Sequence, residues 1–516
     1  MDEVLIVGAG PTGLALALWL TAQGVGVRII DKSAGPGETS RAMAMAVQAR
    51  TLELYRQLDL AEPVIAAGHR NPAANMWVGG KKKARISLQD AGAGLSPYPF
   101  LLVYPQDQHE QLLVDKLAAL GVMVERNTEL LSFEDRGAHV SAHVSARLRL
   151  PDGSEQQCQA RYLAACDGAR STVRHQLGID FEGGTYRHVF YVADVEVDGV
   201  SPPGEVHIAL DHADFVLLMA YGTANRYRLI GTVQDERAEH AETLRFEDVA
   251  KQALQGLNIA VGTLHWFSTY HVHHRVAQQF RSGRVLLLGD AAHVHSPVGG
   301  QGMNTGILDA INLAWKLKAV LRGQAPESLL DSYASERRGF ARQLVATTDR
   351  MFTLVTSEGG VAEFFKNHIA PLLMNVAGHS SGVRELMFRT VSQTLVAYRD
   401  SPWSSGAAGK VKGGDRLPWV MADGQDNFAA LPAIGWQLQV YGKASEALRA
   451  CCARHDIVLR EFHWTPAHAR AGLAEGAAYL LRPDTWVALA DPGASAAVLE
   501  NYLSRFSAEG AAGAGT

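Results

Sequence analysis

The chain has 516 residues, 47% of them hydrophobic and 20% charged, and 48 basic against 53 acidic side chains give a net charge of -5. This length exceeds what one hydrophobic core organises, so two or three domains are expected. The charge balance excludes nucleic acid as the main partner. Four cysteines without metal-ligand or redox spacing are typical of a reducing compartment.

The first element in the chain is an apolar stretch at residues 4–20. Two acidic residues precede it, and Gly-Pro-Thr-Gly interrupts it, so it is neither a signal peptide nor a membrane span. We therefore expect a cytoplasmic protein with no membrane partner.

Within this stretch, a glycine-rich turn connects predicted elements. A strand at 4–7 runs into Gly8-Ala9-Gly10-Pro11-Thr12-Gly13, a helix follows, and a second strand at 25–30 ends at Asp31. This order is the dinucleotide-binding fingerprint. Its first glycine permits the tight turn, the second admits a pyrophosphate, and the third lets helix and strand pack closely. The final carboxylate is placed to hold ribose hydroxyls.

The following region returns to the same predicted sheet. Helices are predicted at 47–58 and 108–120, with a hairpin between them whose Gly-Gly-Lys-Lys-Lys connection is a solvated turn. A meander over 129–166 leads to Asp167-Gly168-Ala169-Arg170-Ser171-Thr172-Val173-Arg174, where Ser171 suits a helix cap. An acid and a glycine at a strand end, with two nearby arginines, again suit a nucleotide.

From 181 to 270 the pattern changes to strands without helical crossovers, which predicts a mostly antiparallel sheet inserted into the first domain. His271, His273 and His274 follow, but no carboxylate or cysteine stands at ligand spacing, so no metal site is predicted.

The segment 284–317 combines an apolar strand, Gly289-Asp290, a loop with glycines at 299, 300, 302 and 306, and an amphipathic helix. Glycines let the backbone approach a flat ligand, and a helix start offers unpaired N–H groups and a positive dipole end. This segment therefore predicts a site for a polar, partly anionic ligand.

The remaining chain is predicted to be mainly helical at 326–399 and a Ser-, Gly- and Pro-rich linker at 401–417. Strand, helix, three strands and helix follow over 436–506. That order resembles thioredoxin, although the absence of Cys-x-x-Cys before its first helix argues against dithiol chemistry.

Three motifs thus stand in one order: GAGPTG with Asp31, CDGARSTVR, and LLLGDAAHVHSPVGGQGMN followed by NLAWKL. Together they resemble the single-component (class A) FAD-dependent aromatic hydroxylases of the para-hydroxybenzoate hydroxylase fold. The segments YPQDQHEQLL, YRDSP, GDRLP and RPD resemble the phenol hydroxylase and pentachlorophenol monooxygenase branch, which carries a C-terminal thioredoxin-like domain.

The resemblance implies an α/β architecture: a Rossmann-type FAD-binding domain, an inserted, mostly antiparallel β-sheet substrate domain and a C-terminal thioredoxin-like domain. The expected FAD-binding domain spans 1–180, with a hairpin at about 71–103 contributed to the substrate domain, and it resumes at 276–400. The substrate domain spans 181–275. The linker at 401–417, a thioredoxin-like domain at 418–508 and a disordered tail at 509–516 complete the chain.

The resemblance also implies the cofactor site. Asp31 would hold the adenosine ribose, Arg41 and Gln106 the phosphate and ribityl chain, Asp167 both FAD and the nicotinamide cofactor, and Asp290 the ribityl hydroxyls. The full set of matching positions is Gly8, Gly10, Pro11, Thr12, Gly13, Asp31, Lys32, Arg41, Gln106, Asp167, Asp290, Pro297, Gly300, Gly302, Met303 and Asn304.

The implied reaction uses NADH or NADPH and dioxygen to hydroxylate a phenol-like or polycyclic aromatic substrate through a flavin C(4a)-hydroperoxide. The catalytic candidates are Arg41, Pro297 and His207, with His207 as substrate base because histidine titrates near the needed range. Tyr191, Tyr221 and Arg228, with His207, are the candidates for substrate binding on the covering sheet. For the C-terminal domain we expect packing or a homodimer contact.

Two other functions fit the same motifs. One is an FAD-dependent reductase or dehydrogenase without oxygen insertion, and the other is a non-catalytic flavoprotein that sequesters an aromatic ligand. Flavin-dependent halogenation is disfavoured because the chain has no Trp-x-Trp-x-Ile segment.

Overall fold

The computed structural model describes residues 1–36, 45–89, 91–137, 142–211, 214–222, 225–233, 244–296, 300–356, 369–370, 372, 376, 380–429, 431 and 434–506. Arg41, Pro297 and the tail at 509–516, on each of which the sequence carries a prediction, lie outside these residues. Within the described ranges, no helix has the length and apolar character needed to cross a membrane.

Strands and helices are numbered here in chain order. The strands are β1 (Asp2–Val7), β2 (Val27–Ile30), β3 (Ala46–Val47), β4 (His69–Asn71), β5 (Ala73–Val78), β6 (Lys81–Ser87), β7 (Leu101–Val103), β8 (Val124–Glu125), β9 (Glu129–Asp135), β10 (Val144–Arg149), β11 (Glu155–Ala165), β12 (Phe181–Asp198), β13 (Val206–Asp211), β14 (Asp214–Ala220), β15 (Arg226–Val233), β16 (Ala260–Ala277), β17 (Arg281–Ser282), β18 (Val285–Leu287), β19 (His293–Val294), β20 (Ser405–Ala408), β21 (Val411–Lys412), β22 (Met421–Ala422), β23 (Gln425–Asp426), β24 (Gln437–Val440), β25 (Val458–Glu461), β26 (Ala478–Leu481) and β27 (Val487–Asp491). The α-helices are α1 (Pro11–Ala22), α2 (Ala49–Tyr55), α3 (Ala61–Ala67), α4 (Gln106–Ala119), α5 (Thr172–Gln176), α6 (Phe246–Leu257), α7 (Gly302–Leu321), α8 (Leu329–Thr356), α9 (Ser381–Val391), α10 (Glu446–Arg454), α11 (Pro466–Ala471) and α12 (Ala496–Leu503).

The first sheet carries the glycine turn. Its order is β17-β18-β11-β1-β2-β8, with parallel pairs from β18 to β8, while β17 and the β9–β10 meander are antiparallel. Its central strands share one hydrophobic core with α1 and α7, because their residues are apolar on both faces. The Rossmann-type fold predicted from the fingerprint is confirmed.

The second sheet has the order β19-β16-β12-β15-β14-β13-β5-β6. Its pairs are antiparallel except β13 with β5, as the strand pattern predicted. One side, here called the outer face, packs Tyr191, Leu218 and Leu229 against α6. The opposite side, the inner face, carries Phe190, Val192 and Ile230, together with Met219, which contacts Met45 and Val103 of the first domain.

The hairpin β5–β6 differs from its prediction. Its turn consists of Gly79 and Gly80 alone, both with positive φ (59° and 67°), as a two-residue hairpin turn requires. Lys81–Ser87 is therefore strand, and the lysines expected in the turn begin β6 instead. Exposed lysines suit this strand because it lies at the edge of the sheet, where charge discourages pairing with another chain.

The third sheet has the order β21-β20-β27-β26-β24-β25. The strands predicted over 436–506 belong to this sheet, and the two helices predicted there are α10 and α12. Ser405–Ala408 and Val411–Lys412, within the expected linker, form its edge, where Ser405 pairs with Leu489. Part of the expected linker is thus ordered β-structure, because β20 pairs with β27 and β21 pairs with β20. Helix α11 was not predicted, although Thr465 before Pro466 is a helix-start signal and forms a capping box with His468. The thioredoxin-like assignment stays a prediction.

A buried cluster of charges joins this sheet to α7 and α8. Glu336 of α8 accepts hydrogen bonds from Lys316 Nζ (2.8 Å) and from two nitrogens of Arg482 (2.8 and 3.2 Å). Arg482 also pairs with Asp484, whose carboxylate accepts from Trp315 Nε1 at 3.0 Å. These four charged side chains are at most 1% exposed. Two cations and two anions therefore balance within the core.

Candidate functional site

The turn between β1 and α1 leaves room for a ligand at one glycine only. A side chain at Gly8 would collide with the carbonyl oxygen of Cys166, and one at Gly13 with the carbonyl oxygen of Gly8. A Cβ at Gly10 would meet no atom within 4 Å. Gly10 is also the N-cap of α1 and provides no side-chain cap, so the first N–H groups of the helix remain available to an anion.

Thr12 has a packing role that its place in the fingerprint did not reveal. A Cβ at Gly289 would lie 2.5 Å from Thr12 Oγ1, and one at Gly306 would collide with the same atom. The threonine side chain therefore lies between the Gly289-Asp290 turn and α7, and holds α1 against both. The predicted contact of Thr12 with a cofactor stays a prediction.

Asp31 lies at the end of β2 beside this turn. Its Oδ2 accepts a hydrogen bond from Ala9 N at 2.6 Å, and its Oδ1 accepts from Ser33 N and Ser33 Oγ at 2.8 and 2.6 Å. These bonds fix the carboxylate where the fingerprint predicts the ribose. The next residue, Lys32, is exposed. Gln106 begins α4, where its amide donates to Glu110 Oε1 at 2.9 Å.

Two further carboxylates have unused acceptor capacity. Asp167 Oδ2 accepts from Val173 N at 3.2 Å, but its Oδ1 is buried with no hydrogen-bond partner among the described residues. Burial raises the pKa of Asp167. Asp290 is exposed, yet neighbouring protein atoms reduce the hydration of its carboxyl and thereby raise its pKa. Both groups suit hydrogen bonds from ligand hydroxyls.

The glycine loop ends at the start of α7, where Asn304 anchors it. Asn304 Oδ1 accepts from Gln48 N (2.9 Å) and Thr51 Oγ1 (2.8 Å), and its Nδ2 donates to Ala46 O (2.8 Å) and Gly300 O (3.1 Å). This side-chain amide is saturated by protein and so shapes the loop, while the role of Asn304 in cofactor binding stays a prediction. Gly302 and the buried Met303 form the first turn of the same helix.

Asp309, which sequence reasoning missed, fixes the neighbouring Gly289-Asp290 turn. Its Oδ2 accepts from Gly289 N (3.0 Å) and pairs with His293 Nε2 (2.7 Å), while its Oδ1 accepts from Arg337 Nε (2.5 Å). Burial disfavours its charge, but Arg337 and His293 hold the pKa of Asp309 below its usual value. An aspartate within the apolar helix pattern of α7 was the available signal.

Two substrate candidates, Tyr191 and His207, lie on the outer face of the second sheet. Tyr191 is on the outer face, with its ring centroid 6.4 Å from that of Phe267. His207 accepts from Trp77 Nε1 at Nδ1 (3.2 Å) and donates from Nε2 to Pro202 O (3.1 Å). Burial lowers the pKa of His207, and neither ring nitrogen is free. These contacts occupy both side chains within the outer face, and the roles of Tyr191 in substrate binding and of His207 as base stay predictions.

Tyr221 and Arg228, the other two substrate candidates, lie on the inner face. Arg228 donates from Nε and Nη2 to the two carboxylate oxygens of Asp194 at 2.8 and 2.9 Å. Its guanidinium lies 5.8 Å from the Tyr221 ring centroid. Burial raises the pKa of Tyr221 to about 12, so its phenol is a hydrogen-bond donor at neutral pH. Phe190 and Tyr270 stack on the same face with centroids 5.9 Å apart.

Comparison with known proteins identifies relatives along most of the chain. Residues 1–348 match the model of a family described as FAD binding domain. The chain is 37% identical over 416 residues to 6-methylpretetramide 4-monooxygenase of Streptomyces rimosus, covering 78% of this chain and 71% of that protein. Identity to pentachlorophenol 4-monooxygenase of Sphingobium chlorophenolicum is 32% over 426 residues, 80% and 75% of the two chains. Among solved structures, aklavinone-11 hydroxylase in a ternary complex with FAD and aklavinone matches with a TM-score of 0.79 and 26% identity, over 98% of each chain.

Proposed function

The chain belongs to the FAD-binding-domain family and is an FAD-dependent aromatic monooxygenase that uses NAD(P)H, and on this premise we propose that it hydroxylates a polycyclic phenol with dioxygen as the second substrate. Names of relatives specify 6-methylpretetramide and aklavinone, which supports a substrate of several fused rings. The reductase and ligand-sequestering alternatives are not favoured, because these relatives are named monooxygenases or hydroxylases.

The residues present fit FAD. Gly10 and the uncapped start of α1 suit a pyrophosphate, and Asp31 lies beside them for a ribose. Asp167 and Asp290 offer acceptors for hydroxyl groups. Bound there, FAD would supply the redox chemistry that couples NAD(P)H oxidation to the transfer of one oxygen atom from dioxygen to the substrate. The start of α7, whose loop Asn304 anchors, offers a positive dipole end that would favour an anionic part of the cofactor.

The observation that carries the substrate proposal is the Arg228–Asp194 pair on the aromatic inner face. Asp194 occupies only Nε and Nη2 of Arg228, and Nη1 makes no hydrogen bond to a described residue. This remaining donor can bind a phenol oxygen and orient the ring, while Phe190 and Tyr270 supply apolar contact area. Because His207 is engaged by its neighbours, we assign ring orientation to Arg228 rather than deprotonation to a histidine.

The double variant Asp194→Asn with Arg228→Gln tests this assignment, because it removes both charges and leaves no buried ion unpaired. We expect normal FAD content, a higher KM for polycyclic phenols and more hydrogen peroxide per NAD(P)H oxidised. Tyr191→Phe on the outer face is the matched control and should keep wild-type coupling. Wild-type KM and peroxide yield in the double variant would overturn the role of this pair.

The remaining features of the proposal concern cellular context and assembly. The four cysteines are free, which supports a reducing, cytoplasmic setting.

We also propose that residues 181–275 form the substrate domain and that the protein is a homodimer. Leu386, Met387 and Val391 on α9 are exposed apolar residues that suit a subunit contact. Leu386→Glu should convert a dimer to a monomer in light scattering, and a monomeric wild-type protein would refute the dimer.

A further inference from the structure

Three side chains with metal-binding atoms converge on the helices of the third sheet. Cys451 lies on α10, His455 is the residue that ends this helix, and Glu500 lies on α12. The cysteine Sγ, an imidazole nitrogen and a carboxylate oxygen all lie within 4.8 Å of one another. Cys451 Sγ donates to Glu500 Oε2 at 2.8 Å, and His455 Nε2 is 3.1 Å from Glu500 Oε1.

We propose that Cys451, His455 and Glu500 form a binding site for a zinc-class divalent cation, with water as the fourth ligand. Sulfur, imidazole nitrogen and carboxylate oxygen are the donors that zinc prefers, at about 2.0–2.3 Å. Tetrahedral bonds of that length separate neighbouring donors by about 3.6 Å. Two donor distances here, 2.8 and 3.1 Å, are somewhat shorter than this separation, and all three donors lie within 4.8 Å of one another, so small side-chain rotations suffice.

The placement of the three residues also suits metal capture. Positions 451 and 455 are one helical turn apart, so their side chains lie on one side of α10. Cys451 is buried, whereas the side chains of His455 and Glu500 are 37% and 47% exposed, which gives an ion access from solvent. No metal-ligand spacing was recognised around this cysteine in the sequence, because the third donor, Glu500, lies 45 residues beyond His455 and is brought close only by the fold.

Binding of the cation would replace the hydrogen bond between Cys451 and Glu500 with bonds from both side chains to the metal. The cation bonds to Cys451 Sγ, the thiol proton leaves to solvent, and Glu500 exchanges its thiol hydrogen bond for a metal bond. Arg454 competes for the same carboxylate, because its Nη2 donates to Glu500 Oε2 at 3.1 Å. Since α10 and α12 pack in one hydrophobic cluster of the third sheet, the ion would join these helices and add stability there.

Cobalt(II), a spectroscopic probe for zinc sites, tests the proposal on the FAD-loaded, full-length protein after dialysis against a chelator. We expect one Co²⁺ per chain, with thiolate–cobalt charge-transfer bands and visible bands beyond the flavin absorption, and displacement by Zn²⁺. Cys451→Ser should abolish the charge-transfer bands, and His455→Ala should weaken binding at least about tenfold. Arg454→Ala should tighten binding, because it removes the competing cation.

Cys452→Ser is the matched control, since this neighbouring thiol is buried but lies outside the cluster. It should keep the cobalt spectrum unchanged. FAD content and circular dichroism establish that each variant is folded. Absence of a stoichiometric ion in the wild-type protein, or charge-transfer bands that persist in Cys451→Ser, would overturn the site.

Discussion

Replacing Glu336 by glutamine removes one of the two negative charges that balance Lys316 and Arg482 inside the protein. The carboxylate is 1% exposed and also accepts from Ser401 Oγ (2.6 Å) and Asn312 Nδ2 (2.8 Å). Burial opposes its ionisation, yet Arg482 and Lys316 hold the pKa of Glu336 well below its usual range. Breaking a buried pair from one side costs about 3–5 kcal/mol, because a desolvated cation is left without its partner.

This loss is large beside a typical net stability of about 5–15 kcal/mol. It should also loosen the attachment of residues 478–491 to α7, because Asp484 and Arg482 lie in the turn between β26 and β27. We would measure urea unfolding by tryptophan fluorescence in excess FAD, and hydrogen exchange of 478–491. The prediction is a midpoint shift equivalent to about 3–5 kcal/mol, with faster exchange in this segment.

Glu385→Gln provides the control, because Glu385 forms an exposed pair with Arg389 at 3.3 Å. Exposed pairs contribute about 0–1 kcal/mol, so this variant should unfold almost like the wild type. If Glu336→Gln lost no more stability than Glu385→Gln, the inference that the buried cluster fastens the third sheet to α7 would be wrong.

Three further predictions concern the cofactor site and pH. Gly13→Ala should lose both stability and bound FAD, because the new Cβ would collide with the Gly8 carbonyl oxygen. Gly10→Ala should keep the melting temperature of the apoprotein and weaken FAD retention, measured as bound flavin per chain. Equal effects of the two substitutions would contradict the geometry of the turn. Asp309→Asn should remain folded by circular dichroism but bind FAD about tenfold or more weakly, because Gly289 and His293 lose a charged acceptor. Unchanged flavin binding would contradict the role of Asp309 in fixing the Gly289-Asp290 turn. Burial, opposed by the charge of Glu336, lowers the pKa of Lys316 to about 8 from its usual 10.5. Between these two pH values the unfolded chain binds more protons than the folded protein. Lys316 should therefore make the free energy of unfolding rise from pH 8 to pH 10.5. Subtracting the unfolding free energies of Lys316→Met from those of the wild type should show this rise, and a flat difference would contradict it.

Local signals in the sequence were sufficient for the first sheet and its turn. The spacing of Gly8, Gly10 and Gly13 before a helix, with Asp31 after the next strand, has one geometric solution, which the structure contains. Thr12 in the same motif could not be assigned, because its partners Gly289 and Gly306 are brought to it only by the folded sheet.

For a strand that is buried on both faces, the sequence could not predict which face of the sheet each side chain lies on. Residues 189–193 of β12 are all buried, so no alternation of polar and apolar residues distinguishes the inner face of the sheet from the outer one. The candidates Tyr191 and His207 consequently fell on the outer face, whereas Arg228 fell on the inner one. The buried cluster of Glu336 and Arg482 was equally hidden, because its members are 146 residues apart.

The most direct test of the proposed function follows the oxygen atom. FAD-loaded protein would be incubated with NADPH or NADH, a polycyclic phenol and isotopically heavy dioxygen, and the product mass and peroxide yield measured together. A monooxygenase of this kind should transfer one heavy oxygen atom to the product, with NAD(P)H consumed in equal amount and little peroxide. Phenol-independent NAD(P)H oxidation that yields only peroxide, or product oxygen that comes from water, would contradict it.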